Sequence, residues 1–304
     1  MRALVQDPAA PGGLRLAEAP DPRPGPVEVL VEVGATSLNF GELAFMAERR
    51  APGEVPGWDA AGVVVRAAAD GSGPPAGARV VTFSPSGAWA LLRAVATDEL
   101  AEVPDGVDLG AASALPVAGV TALRALRRLG PVLGRRVLVT GASGGVGRFA
   151  VQLGARAGAR VVAAVGSPAR GEGLRELGAA EVVVGLEGVE GRVAGAIDNV
   201  GGPQLAQALA LLEPGGLVLS VGQASLQPTT IDFEATRMRS GGARIEAFTV
   251  GTGFGRDLAV LVELLAAGAL DPQVGWRGPW ERVAEAVAAL LGRRVRGKAV
   301  LDVG

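Results

Sequence analysis

Hydrophobic and polar positions along this chain follow two periods. In VEVLVEV (27–33), Val29, Val31 and Val33 alternate with Glu28, Leu30 and Glu32, the two-residue period of a strand with one wetter face. Short apolar runs of the same kind, RALVQ, GLRLAEA, DAAGVVVRAA, GARVVTF and ALLRAVA, fill the first hundred residues. Turn formers separate them: Pro24-Gly25-Pro26, Pro52-Gly53 and DGSGPPAG. This part reads as a compact all-β region. From about Leu109 the spacing becomes helical in GAASALPVAGVTALRALRRLG (110–130). Strand-like and helix-like segments then alternate: RVLVTG, GGVGRFAVQLGARAG, RVVAAVG, RGEGLRELG, EVVVG, GAIDNVG, PQLAQALALLEPGG and LVLSVGQ. Such alternation with short glycine-containing loops calls for a parallel sheet covered on both faces. The expected class is α/β, a doubly wound nucleotide-binding sheet with RGEGLRELG as one of its helices. After ARIEAFTV come two apolar-rich helical segments, RDLAVLVELLAAGAL and WERVAEAVAALLGRR, and a strand-like KAVLDV expected to return to the first domain.

Composition narrows the chemistry. The chain has 304 residues, 49% of them hydrophobic, enough for two domains or one large one. A formal charge of −2 with both signs scattered argues against nucleic acid and leaves small molecules as the expected partners. The opening MRALVQDPAAPGG lacks the apolar run of a signal peptide, and no stretch offers eighteen uninterrupted apolar residues; no membrane contact and a cytoplasmic location are expected. There is no Cys and no His, so disulfides, thiol nucleophiles and zinc sites of the usual kind are not expected, and no metal is assigned. Lys298 is the lone lysine, and Asn39 and Asn199 are the two asparagines.

The stretch VLVTGASGGVGRFA (137–150) places Gly141, Gly144 and Gly147 at intervals of three, with Gly145 added, between a strand and a helix expected to start near Val146. Such a turn lets the backbone around Ser143 approach a pyrophosphate, which the free N–H groups of the helix start then receive. After the next strand, VVAAV, stand Gly166-Ser167-Pro168-Ala169-Arg170, and the first acid is Glu172. Without an acid to bind a ribose 2′-hydroxyl, NADPH is favoured over NADH, with Ser167 and Arg170 on the 2′-phosphate. IDNVGG and LVLSVG end later strands, and ligands bind at strand carboxyl ends in such sheets. Asn199, Val200, Gly201, Val221 and Gly222 are therefore expected on the nicotinamide side. Asp198 reads equally as a member of that group or as a cap on its loop.

Several ordered motifs carry a family resemblance: SLNFGEL (37–43), PGWDAAGVV (56–64), AASALPVAGVTALRAL (111–126), VTGASGGVG, IDNVGG, LEPGGLVLSVG and the closing GKAVLDV. Over nearly its whole length the chain resembles the zinc-free branch of the medium-chain dehydrogenase/reductase superfamily, with its quinone oxidoreductases, zeta-crystallin-like proteins and enoyl reductases. The resemblance implies a GroES-like β-barrel domain, residues 1–113 completed by 250–304, beside a Rossmann domain, 114–249, with NADPH in the cleft between. It implies that Asn39 faces cofactor and substrate, that Thr121 lies near the nicotinamide, and that Phe248, Thr249 and Val250 pass over its face. Lys298 resembles the family's near-terminal lysine beside the cofactor, with a plain surface lysine as the alternative. A homodimer through the edge strand EAFTV is expected as well. There are departures: Glu42 stands in for the acid that follows the asparagine, Asp59 replaces the glutamate of a PGxE motif, Gly185 stands where relatives carry a tyrosine, and SPSGAWALLRA is short.

A hydride needs an electrophilic acceptor carbon. A ketone requires strong polarisation by zinc or an acid, whereas conjugate addition spreads the charge into an enolate that weaker donors can hold. Without metal ligands, reduction of an activated C=C bond in a quinone, enone or enoyl thioester is favoured. Asn39, Asp59 and Glu42 are the catalytic candidates; for the proton on carbon, water, Asp59, Glu42, Thr36 and Ser84 stay open, since the chain has no Tyr. Phe45, Trp58, Phe83, Trp89 and Phe248 are expected pocket walls, against the alternative that they are simply core. Two other readings are a redox-neutral biosynthetic step on the same fold and a non-catalytic NADPH-binding protein.

Overall fold

The computed structural model describes residues 1–304, apart from the side chains of Ala47 and Arg49. Its contacts form two compact units, Met1–Val120 with Gly251–Gly304, and Thr121–Val250. The division falls inside the helix Pro116–Leu129.

The first unit is built on a sheet with the order Val274–Pro279, Lys298–Asp302, Glu28–Leu38, Asp59–Arg66, Arg79–Phe83, Leu100–Glu102. Leu92–Ala96 adds a further pairing to Glu28–Leu38. That strand is long enough to serve three antiparallel neighbours in succession. Its alternation holds as read: Val29, Val31 and Val33 are buried while Glu32 is exposed, each buried valine contributing about 1.5–3 kcal/mol. At its carboxyl end Ser37 lies opposite Asp59, and Leu38 lies opposite Ala299. Antiparallel pairing on both sides therefore brings the start of each neighbour to the end of this strand, and KAVLDV does return to the first domain's sheet.

The second unit is a six-stranded parallel sheet ordered Glu181–Val184, Arg160–Val165, Arg136–Val139, Val193–Asp198, Leu212–Ser220, Arg244–Ala247. In chain order this is 3-2-1-4-5-6, the doubly wound dinucleotide-binding arrangement. Its apolar runs are buried as a parallel sheet requires, Leu138, Val162, Ala196 and Val218 among them. One expectation fails: RGEGLRELG is not an α-helix. A 3-10 turn, Pro168–Gly171, is followed by irregular turns. Gly173 at φ +76° and Gly178 at φ +104° take the left-handed conformation that ends helices. Among the described residues no helix is long and apolar enough to cross a membrane.

Candidate functional site

In the first unit, the strand register brings together polar residues far apart in sequence. Asn39 follows the long strand and opens the helix Phe40–Ala44; its backbone N–H donates to Glu42 Oε2 at 3.1 Å, half of a capping box. Its side-chain Nδ2 donates to Asp59 Oδ2 at 2.8 Å and to Glu42 Oε2 at 3.3 Å. Lys298 Nζ donates to Asn39 Oδ1 at 2.6 Å, to Leu38 O at 3.2 Å and to Asp59 Oδ2 at 3.3 Å. An ammonium only donates, so the Asn39 atom it faces is the oxygen, and the orientation of that amide follows.

Asp59 is saturated from all sides. Oδ2 also accepts from Ser37 Oγ at 3.1 Å, and Oδ1 accepts from the backbone N–H of Val117 at 3.1 Å. It is 0% exposed, and Lys298 is 2% exposed. These numbers overturn the surface-lysine alternative: all three Lys298 donors are spent inside the unit on Asn39, Leu38 and Asp59. Lys298 and Asp59 both hold Asn39 in place. Thr36 is likewise buried and donates to Asp59 O at 2.5 Å, which takes it out of the set of proton donors.

Glu42 differs from its neighbours. It is buried, and Oε1 has no hydrogen-bond partner. Loss of water, and next the charge of Asp59, push its carboxyl up from 4.5 to about 8 against the opposing pull of Lys298. Glu42 therefore carries a proton at neutral pH. Since Oε2 already accepts from Asn39, that proton belongs on Oε1.

Arg93 was not anticipated. Its guanidinium is buried and donates to the carbonyls of Trp58, Ser84 and Ser86 at 2.7, 3.1 and 3.3 Å and to Thr82 Oγ1 at 2.8 Å. Burial lowers its pKa to about 10 against the pull of Asp59 and Glu42, so it stays cationic and fixes the loop after Arg79–Phe83. The signal existed: in ALLRAVA, Arg93 shares the inward face with Val95. Of the expected pocket walls in this unit, Trp58 and Phe45 are half-buried, and Trp58 lies 4.0 Å from where a Cβ on Gly41 would stand. Trp89 is 0% exposed in the hydrophobic core, and Phe83 is buried and stacked on Phe254 with ring centroids 3.8 Å apart.

In the second unit the expected cofactor residues gather along the carboxyl edge of the sheet. The helix begins at Gly145 with Gly144 as its N-cap. A Cβ on Gly147 would stand 2.4 Å from Gly141 O, so helix and turn approach as closely as a dinucleotide turn requires. Ser143 Oγ accepts from Arg170 Nε at 2.9 Å, while a Cβ on Gly166 would meet nothing within 4 Å. Ser167 follows it, half-buried. Asp198 proves to be the cap: buried, it accepts from Thr140 Oγ1 at 2.6 Å and from the N–H of Gly201 at 2.8 Å, and burial raises its pKa. The N–H groups of Val221 and Gly222 donate to Asp198 O at 2.8 and 3.1 Å, joining the two loops. Asn199 Nδ2 donates to Thr140 O at 2.8 Å, which leaves Oδ1 as a buried acceptor without a donor. Phe248 extends the last strand through its N–H to Ser220 O at 3.0 Å, with Thr249 exposed beside it. Arg124 donates to Val250 O, and Thr121 is buried. An orphaned acceptor, open space at Gly166 and an arginine at the glycine turn are what a phosphorylated dinucleotide would fill.

Residues 25–105 match the family of alcohol dehydrogenase GroES-like domains, and residues 176–301 match the zinc-binding dehydrogenase family. Over 76% of its length the chain is 30% identical to a mycocerosic acid synthase-like polyketide synthase of Mycobacterium tuberculosis, of which it spans 12%. It thus spans about a tenth of the length of the curated relatives of this kind. A mycobacterial protein solved in complex with NADPH is 27% identical with a TM-score of 0.88, covering 99% of this chain and 100% of that one. A quinone oxidoreductase from Coxiella burnetii is 25% identical with a TM-score of 0.86, covering 100% of this chain and 99% of that one. The zinc in one family's description has no ligand set here: the chain has no His or Cys, and among the described residues no group of three or more His, Cys, Asp or Glu could hold a metal ion. With both domain families matched in order and quinone oxidoreductases alike along the full length, the chain belongs to the medium-chain dehydrogenase/reductase superfamily, in its quinone oxidoreductase branch.

Proposed function

We propose that this protein is an NADPH-dependent reductase of activated C=C bonds, acting on a quinone, an enone or an enoyl thioester without a metal. The observation that carries this reading is the glycine turn, where Arg170 already sits on Ser143 at the start of a helix. NADPH would be held by the backbone from Ser143 to Gly147, by Ser167 and Arg170 at the 2′-phosphate, and by Asn199 to Gly201, Val221, Gly222 and the segment Phe248 to Val250 at the nicotinamide. Bound there, it supplies a hydride to an electrophilic carbon.

The chain's own residues do the rest. Asn39, its amide N–H groups held by Asp59 and Glu42 and its Oδ1 by Lys298, orients Glu42, and Glu42 holds a proton at Oε1 for the carbon left electron-rich by hydride addition. The absence of His and Cys removes the ligands a ketone-polarising zinc would need, which favours conjugate reduction. The test is NADPH oxidation by the purified chain with benzoquinone, an aliphatic enone and a crotonyl thioester. Consumption of NADPH with formation of the saturated product or hydroquinone supports the reading; NADPH binding with no acceptor reduced across the panel overturns it. We further expect a second copy to pair along Arg244–Ala247, the edge strand of the parallel sheet.

A further inference from the structure

Arg148 stands four residues past the N-cap of the glycine-turn helix and is 5% exposed. A cation there lies at the positive end of the helix dipole and is stripped of water as well. Helix packing alone would be better served by an apolar side chain. What the guanidinium does is bridge two segments: Nε donates to Ser143 O at 3.4 Å, and Nη2 donates to Glu172 O at 2.9 Å. Glu172 closes the 3-10 turn that carries Arg170, and Ser143 receives Arg170 Nε through its hydroxyl. Beyond Glu172 the glycines forbid the helix that would ordinarily brace this connection, and Gly173 leaves Nη1 lying 3.7 Å from where a Cβ would stand.

We propose that Arg148 is a positioning residue for recognition of the 2′-phosphate: it ties the turn 167–172 to the glycine turn and so presets Arg170 beside Ser143. This rests on the NADPH reading above and adds that discrimination between NADPH and NADH passes through a side chain that need not touch the nucleotide. The physical gain is preorganisation: an arginine already held in its bound orientation loses less rotamer freedom when the phosphate arrives.

The test is calorimetric titration of 2′,5′-ADP and 5′-AMP into the wild type, Arg148→Met, Arg148→Lys, Arg170→Ala and the double variant Arg148→Lys/Arg170→Ala. The wild type is expected to prefer 2′,5′-ADP. Arg148→Met should weaken 2′,5′-ADP roughly tenfold and leave 5′-AMP within about twofold. Arg148→Lys keeps the charge but reaches one carbonyl only, so it should fold and show a smaller loss of the same kind. In the Arg170→Ala background Arg148→Lys should cost nothing further, since coupled residues are non-additive. Equal weakening of both nucleotides, an unchanged preference in the lysine variant, or the same loss with and without Arg170 overturns the proposal. A wild type that does not distinguish the two nucleotides overturns the NADPH reading itself.

Discussion

Lys298 shows how much a single side chain can be asked to hold. Its ammonium and the Asp59 carboxylate are both fully buried, 3.3 Å apart. Removing one partner strands the other's charge, so Lys298→Met is expected to destabilise the chain by about 3–5 kcal/mol, measured by urea unfolding. Asp59→Asn in the same chain should recover part of that. Glu42 makes a pH-dependent prediction. Its carboxyl titrates near 8 in the folded chain against 4.5 in the unfolded one, so between those values the folded state binds the extra proton. The stabilisation is complete below about pH 4.5 and is lost as the pH rises through about 8. Glu42→Gln removes the titration, and its melting temperature should fall less steeply than that of the wild type between about pH 6 and 8.5; parallel calorimetric curves would contradict this. Asn39, Glu42 and Asp59 were legible in the sequence as motif positions, but their division of labour was not. Whether a carboxylate is saturated or keeps an orphaned oxygen depends on neighbours twenty or more residues away.

The glycine-turn helix is the element whose sequence says most, because its constraint is local. Gly147→Ala would drive a methyl to 2.4 Å from Gly141 O and 2.6 Å from the Cα of Ala142, whereas a Cβ on Gly144 meets Gly141 O at 3.4 Å. Gly147→Ala is therefore expected to cost about 1–3 kcal/mol and to abolish NADPH binding, while Gly144→Ala shifts the melting temperature little. Equal effects of the two would show that close packing at Gly147 is not what the turn requires. The strand Glu28–Leu38 was equally readable, because a two-residue period needs only one buried face. The segment RGEGLRELG misled through its leucine spacing, for glycines at positive φ outweigh an apolar periodicity of so few residues.

At the scale of the whole molecule, the parallel sheet ends in Arg244–Ala247, a strand partnered on one side within this chain. Light scattering should report a homodimer, and a monomer would remove the edge-pairing proposal. Two domains, a dinucleotide-type turn and a chemistry without His or Cys could all be read from the linear chain, since turn sterics, periodicity and the inventory of side chains are properties of short segments or of none. The polar cluster could not. Asn39, Asp59 and Lys298 meet because antiparallel register places the start of two strands at the end of a third, and the Glu42 carboxyl is pushed up because packing removes the water around it. Register and desolvation are properties of the closed structure, and they decide which of the polar residues are bound on several sides and which keeps a buried oxygen without a partner.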